Sequence, residues 1–248
     1  FFVTCRALSR GLLPGLTNLD GLSLAIQGFG NAGGHAAALF SQAGVRIVAV
    51  SDSQGGVHSP EGIDLEAAFR HKQETGSVSG LAGTSAITNA ELLHVQCDIL
   101  IPAALENQLR SDNAENVKAR LIVELANGPT TPEADVILSD KGIPILPDIL
   151  ANAGGVTVSY FEWVQNNKNE QWAEADVNAK LELTMNQATD GVLDKQAEVN
   201  GSLEALEEER REVGKVGGKL APIDVRTAAF VVAVEKVAQV TLDRGIWP

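Results

Sequence analysis

The stretch "LAIQGFGNAGGHAAALF", residues 24–40, runs an apolar segment into a cluster of glycines and then directly into small helix-forming residues. Gly28, Gly30 and Gly33 fall in G-x-G-x-x-G spacing, at the point where a strand candidate ends and a helix of small residues begins. Glycines so placed permit a tight turn, close approach of a ligand to the backbone, and close packing of helix on strand. Alone the pattern is weak evidence, because a glycine-rich turn between strand and helix looks the same. Asp52 strengthens it. It lies 24 residues after Gly28, at the end of the next strand candidate, where a carboxylate can accept hydrogen bonds from a ribose.

The surrounding chain supplies the matching architecture. The segments 22–27, 45–52, 98–103, 121–126 and 143–148 are short, apolar and bounded by turn residues, and helical segments separate them. Such alternation predicts an α/β fold, a Rossmann-like doubly wound, mostly parallel sheet covered on both faces. Asp64 reads as the N-cap of a helix ending before Gly76, and Pro132 as the first-turn residue of one ending before Gly142. Phe2, Cys5, Leu8 and Leu12 have helical spacing at the start of the chain. After Ala151 the strand signal disappears, and 156–167, 175–199 and 223–245 all carry helical periodicity. These patterns predict an entry helix and linker over 1–20, a dinucleotide-binding core over 21–150 and a helical extension of the same domain over 151–248. Within that tail, residues 200–219 read as an exposed helix followed by a flexible loop.

Charge and cysteine usage exclude several functions. With 19 Lys and Arg against 32 Asp and Glu, the net charge is −13, which repels phosphate backbones, so no nucleic-acid partner is expected. No apolar run reaches the length of a bilayer span, and no membrane partner is expected either. Cys5 and Cys97 have no paired spacing, which fits a reducing cytoplasm. His35, His58, His71 and His94 show no metal-ligand spacing, so no metal site is expected. The segment "GKVGGK", 214–219, lacks both the spacing and the Ser or Thr of a phosphate loop, and no G-x-S-x-G elbow occurs. Because residue 1 is Phe and the helical spacing is already under way there, the chain reads as a fragment.

Two further stretches, "ELANGPTTPEAD" at 124–135 and "PDILANAGGVTVSYFEWVQ" at 147–165, each place an Asn just after an apolar strand candidate. Asn127 and Asn152 would stand at the carboxyl edge of the sheet, where open α/β folds bind ligands. A carboxamide both donates and accepts and so suits a nicotinamide amide. A turn residue tolerating positive φ is the equally good alternative.

Together with "QGFGNAGGHAA", "AVSDSQGG", "DILIPAALENQ" and "DVRTAAFVVAVEKVA", these stretches resemble the cofactor domain of the glutamate dehydrogenases, within the wider glutamate, leucine, phenylalanine and valine dehydrogenase superfamily. The resemblance covers nearly the whole chain. It implies that NAD, with NADP possible, sits on the loop Gly28, Phe29, Gly30, Asn31, Ala32 and Gly33, the N–H groups of Asn31 and Ala32 holding the pyrophosphate. Asp52 and Ser53 would take the adenosine ribose, Ala103 and Ala104 line the cleft, and Asn127 and Asn152 orient the nicotinamide. Val156 would lie beside the carbon chain of L-glutamate or 2-oxoglutarate, and Ser159 would reach the side-chain carboxylate. The family also implies a homo-oligomer, a hexamer. In relatives the catalytic lysine lies in a preceding domain, so no catalytic residue is expected in this chain. Leu125 stands where many relatives have glycine, and the acidic segment around 204–219 looks longer than usual. A dehydrogenase of a neutral amino acid and a nucleotide-binding module without turnover are the rival readings. Repulsion between Asp52 and a 2′-phosphate would favour NAD over NADP by about tenfold or more.

Overall fold

The computed structural model describes residues 1–212 and 220–245. In chain order the elements are α1 (Phe2–Ser9), β1 (Ser23–Gln27), α2 (Asn31–Gln42), β2 (Arg46–Asp52), β3 (Gly55–His58), α3 (Leu65–Thr75), β4 (Ser85–Ile87), α4 (Asn89–Leu92), β5 (Ile99–Pro102), β6 (Leu121–Val123), α5 (Pro132–Asp140), β7 (Ile145–Leu146), α6 (Asp148–Ala151), α7 (Gly154–Lys168), α8 (Glu174–Gly201), α9 (Leu203–Glu212) and α10 (Val225–Arg244). The strands form one seven-stranded sheet in the order β4-β3-β2-β1-β5-β6-β7. Pairing is parallel from β2 through β1, β5 and β6 to β7, and antiparallel across β2-β3 and β3-β4. The five strands expected from the sequence form the parallel part. β3 and β4 were not expected: "GGVH" is half glycine and "SAI" only three residues long, so neither carries a strand pattern of its own.

Side-chain alternation along the central strands divides the core between the two faces of the sheet. Leu24, Ile26, Ile99, Ile101, Leu121 and Val123 join one cluster, while Ala25, Leu100 and Ile122 join the other. α1, α2, α3, α8 and α10 cover the first face through Leu8, Phe40, Ala68, Met185 and Ala228, and α4 and α5 cover the second through Leu92, Ala134 and Leu138. The first cluster therefore draws on the entry helix, the sheet and the tail at once. α1 is also clamped to α8 by charge: Arg6 forms a two-pronged pair with Asp190 at 2.8 Å, and Arg10 reaches Asp190 and Asp194.

Local signals place the helix ends. The Asp64 carboxylate accepts from the Ala67 N–H, Thr131 caps α5 with Pro132 in its first turn, and Asp224 accepts from the Thr227 N–H to open α10. The exposed helix expected after residue 200 is α9. The loop expected beyond it, with Lys215, Lys219 and the "GKVGGK" segment, lies outside the described residues. No described helix is long and apolar enough to cross a membrane. Among the described residues no group of three or more His, Cys, Asp or Glu side chains is placed to hold a metal.

Candidate functional site

β1 and β5 are neighbours whose connections leave in opposite directions, and their carboxyl ends open the crevice that such a sheet offers a ligand. The three glycines after β1 meet different demands there. Gly28 has φ +100°, and a Cβ on it would lie 2.8 Å from the Ala103 carbonyl, so the loop sits flush against the backbone following β5. A Cβ on Gly33 would lie 2.0 Å from the Gly28 oxygen, which presses the first turn of α2 onto the same loop. Gly30 faces open space: nothing lies within 4 Å of where its Cβ would be.

Gly30 is also the N-cap of α2, without a side-chain cap and with no acidic residue in the first turn. The first N–H groups of a helix have no partner inside it, and the positive end of the helix dipole stands behind them. Gly30, Asn31 and Ala32 are exposed. A pyrophosphate fits this cradle, with small residues, free donors and no competing carboxylate.

The loop itself is held from below. The Gly28 and Phe29 N–H groups both donate to the Ser51 carbonyl, at 3.0 and 2.6 Å. The Phe29 ring is buried, 4.8 Å from that of Phe69, and so can offer a ligand only backbone. Lys72, on the last turn of α3, donates to the Phe29 carbonyl at 2.7 Å and to Asp52 at 3.2 Å. Sequence reading missed Lys72, which looks like any solvent-facing helix cation.

Asp52 stands where expected, at the end of β2, but its carboxylate is already engaged. Oδ1 accepts from the Gln54 N–H and the Ser77 hydroxyl, and Oδ2 from the Val78 N–H and Lys72. Burial by itself would raise its pKa; these four donors outweigh burial and hold it below the usual aspartate range. The side chain is only 9% exposed, so Asp52 anchors the rim of the cleft as well as facing it. Ser53 is exposed in the turn between β2 and β3.

On the other side of α2 lies a cleft of ≈ 790 Å³ lined by Ala32, Ala104, Leu105, Glu106, Asn127 and Asn152, among others. Ala103 tucks beneath it, donating to the Gln27 carbonyl at 2.7 Å. Asn152 Nδ2 donates to Asn127 Oδ1 at 2.7 Å and to the Leu125 carbonyl at 3.3 Å. The two asparagines thus form one pair at the cleft wall. Neither has positive φ, a conformation that among the described non-glycine residues belongs to Asn107 and Asn169. Asn152 does lie in a turn and Asn127 in a bend, so the turn alternative holds for them without its positive φ.

Val156 and Ser159 are not brought into the cleft, although Gly155 at the same end of α7 lines it. Both are exposed on α7, and the Ser159 hydroxyl donates to the Gly155 carbonyl at 3.0 Å.

A charged cluster that sequence reading missed underlies the asparagine pair. Arg226 grips Glu124 through Nη1 and Nη2 at 2.9 and 2.7 Å, donates from Nε to Asp135 at 2.9 Å, and stands 3.7 Å from Asp148. Burial would lower the Arg226 pKa, but Glu124 and Asp135 more than offset this and raise it. Burial raises the Asp135 carboxyl against the pull of Arg226, which spends two of its three hydrogen bonds on Glu124.

The family model for Glutamate/Leucine/Phenylalanine/Valine dehydrogenase matches residues 4–245. The chain belongs to this dehydrogenase family. Among its relatives, the NADP-specific glutamate dehydrogenase A1 of Halobacterium salinarum is 45% identical over 93% of this chain and 51% of its own length. The cryptic catabolic NAD-specific glutamate dehydrogenase of Bacillus subtilis is 42% identical over 92% of this chain and 48% of its own. The chain spans about half the length of the curated relatives it matches. A solved structure of hetero-hexameric glutamate dehydrogenase from Thermus thermophilus superposes with a TM-score of 0.83, at 30% identity, covering 100% of this chain and 53% of that one. Both nicotinamide cofactors therefore occur among these dehydrogenase relatives.

Proposed function

We propose that this chain is the dinucleotide-binding part of a glutamate dehydrogenase, which interconverts L-glutamate, NAD(P)+ and water with 2-oxoglutarate, ammonia, NAD(P)H and a proton. The observation that carries the reading is the open cradle at Gly30, Asn31 and Ala32, set between the anchored Asp52 and the Asn127–Asn152 pair. One end of that track suits an adenosine ribose, its middle a pyrophosphate, and its far end a carboxamide. The cofactor, when bound, accepts the hydride from the substrate carbon.

The chain's own residues bind and orient. Backbone N–H groups at the start of α2 would neutralise the pyrophosphate, and Gly28 and Gly33 keep the loop close enough to the sheet for that approach. The Asn127–Asn152 pair would present one carboxamide edge to the nicotinamide, fixing which ring face meets the substrate. No lysine lines the cleft among the described residues. We place the base that takes the amine proton in the part of the full-length protein that this chain does not span. We place Val156 and Ser159, exposed on α7 beside Gly155, against the glutamate carbon chain and its distal carboxylate. By the same family reasoning the full-length protein is a homo-oligomer, a hexamer, and the two unpaired cysteines of this chain, Cys5 and Cys97, suit a reducing cytoplasm.

Lys72 moderates cofactor choice. Its ammonium balances the Asp52 charge, so a 2′-phosphate meets a neutral pair rather than a bare carboxylate. NAD and NADP should then bind the full-length protein within about tenfold of each other. Calorimetric titration with each nucleotide, followed by a reduction assay with glutamate, tests the reading. Absence of nucleotide binding would overturn it.

A further inference from the structure

Arg226 does not line the cleft, yet a line of hydrogen bonds runs from its guanidinium to Gly128, the residue that follows Asn127. The buried Glu124 carboxylate, 0% exposed at the end of β6, accepts from Arg226 with both oxygens, and its Oε2 also accepts from the Asp148 N–H at 2.9 Å. Asp148, the first residue of α6, turns its own carboxylate outward to accept from the Gly128 N–H at 2.8 Å. Gly128 follows Asn127 directly and has φ +54°, so this bond holds the loop in a conformation few residues adopt. At the other end of the short α6, Asn152 completes the circuit by donating to Asn127.

We propose that Arg226 is a positioning residue for the nicotinamide end of the cofactor site, acting through Glu124 and Asp148 on the Asn127–Asn152 pair. The inference rests on the cofactor reading above. Its physical basis is the cost of a buried carboxylate: without the guanidinium, Glu124 must take up a proton or turn toward solvent. Protonation weakens the acceptor on which the Asp148 N–H is fixed and reorientation removes it, and either loosens the Asp148 carboxylate's hold on the Gly128 N–H, one anchor of the 126–128 loop. The glycine cradle draws on Ser51 and Lys72, which touch none of these residues, and on the β5 loop, which meets both halves: the Leu125 and Ala126 N–H groups donate to the Pro102 carbonyl, and the Asn107 N–H donates to the Gly128 carbonyl at 2.9 Å. The two halves of the cofactor site therefore share the β5 loop, but the charged line from Arg226 joins only the asparagine half. A change at Arg226 should weigh mainly on that half.

The test compares two ligands on the full-length protein: NADH, which carries nicotinamide, and ADP-ribose, which shares everything else. Displacing one anchor by a fraction of an ångström costs binding geometry steeply, so Arg226→Met should weaken NADH by about tenfold or more and ADP-ribose by no more than about twofold. Arg226→Lys, which keeps the charge but not the two-pronged grip, should recover part of the NADH loss. Asp148→Ala breaks the same line nearer the cleft and leaves the Arg226–Glu124 pair intact. It should reproduce the selective loss even if Arg226→Met fails to fold. Equal losses for both ligands in the Asp148 variant, or no loss for either, would overturn the positioning role. If the unaltered protein bound neither ligand, the cofactor reading itself would fall first.

Discussion

A Cβ at Gly33 would meet the Gly28 carbonyl oxygen at 2.0 Å, whereas one at Gly30 would meet nothing within 4 Å. The same substitution at two positions three residues apart should therefore separate folding from binding. Gly33→Ala forces α2 off the loop and should cost about 1–3 kcal/mol of stability, by analogy with overpacking of a filled site. Gly30→Ala places its methyl in the space a pyrophosphate would occupy. Stability should stay within about 1 kcal/mol of the parent, while dinucleotide affinity falls by about tenfold or more. Urea denaturation and calorimetry measure the two effects. Equal stability losses at both positions, with affinity unchanged, would show that the loop is only a turn. Asp52 makes a related point about single residues: four donors spread its charge into the rim, so its chemistry depends on Lys72, Ser77, Gln54 and Val78 as much as on itself.

At the scale of elements, α7 is unusual in this molecule. It is 15 residues long with none buried, and Val156, Tyr160 and Trp163 stand exposed on it. Its opening Gly154 and Gly155 lie beside the cleft, and the hydroxyl of Ser159 folds back on the helix. Such an i−4 back-bond contributes little to a helix, so Ser159→Ala should leave stability within about 0.5 kcal/mol. Any catalytic change in the full-length enzyme then reports on substrate. If the hydroxyl rotates from the Gly155 carbonyl to a distal carboxylate, the substitution removes one charge-assisted bond of roughly 1.5–3 kcal/mol, and kcat/KM for glutamate falls about ten- to a hundredfold. Norvaline, which lacks that carboxylate, should be affected far less. Equal losses on the two substrates would return Ser159 to a helix residue without a role in recognition.

Across the whole molecule, carboxylates that accept hydrogen bonds set the acid limit of the fold. Burial would raise the pKa of Asp98, but the Ser23 N–H and hydroxyl and Arg120 outweigh it and hold the group below its ordinary value; Asp52 is lowered by its own four donors. A carboxyl depressed in the folded state contributes stability that is present above its unfolded pKa, about 3.9, and is lost as pH falls through the folded value. The urea midpoint should therefore be level from neutrality to about pH 5 and drop steeply below about pH 4. Asp98→Asn should cost about 1–3 kcal/mol at pH 7 and flatten that acid limb. An unchanged slope would mean that the β1–β5 edge held by Asp98 does not limit acid stability.

What could be read along the chain was what neighbouring residues decide among themselves. The glycine loop was legible because its spacing falls within six residues, the cap at Asp64 because a capping side chain reaches only three residues ahead, and the parallel strands because burial on both faces leaves a continuous apolar run. The edge strands β3 and β4 were not legible. Their pairing with β2 and with each other, rather than their own composition, makes them strands. The supports of the site were hidden for the same reason at longer range. Ser77 meets Asp52 from 25 residues away, and Arg226 meets Glu124 from 102. A lysine on a polar helix face and an arginine near a helix start look solvated until the chain closes over them. Desolvation then turns an ordinary surface charge into a fixed partner, because a buried carboxylate has no water left to choose instead.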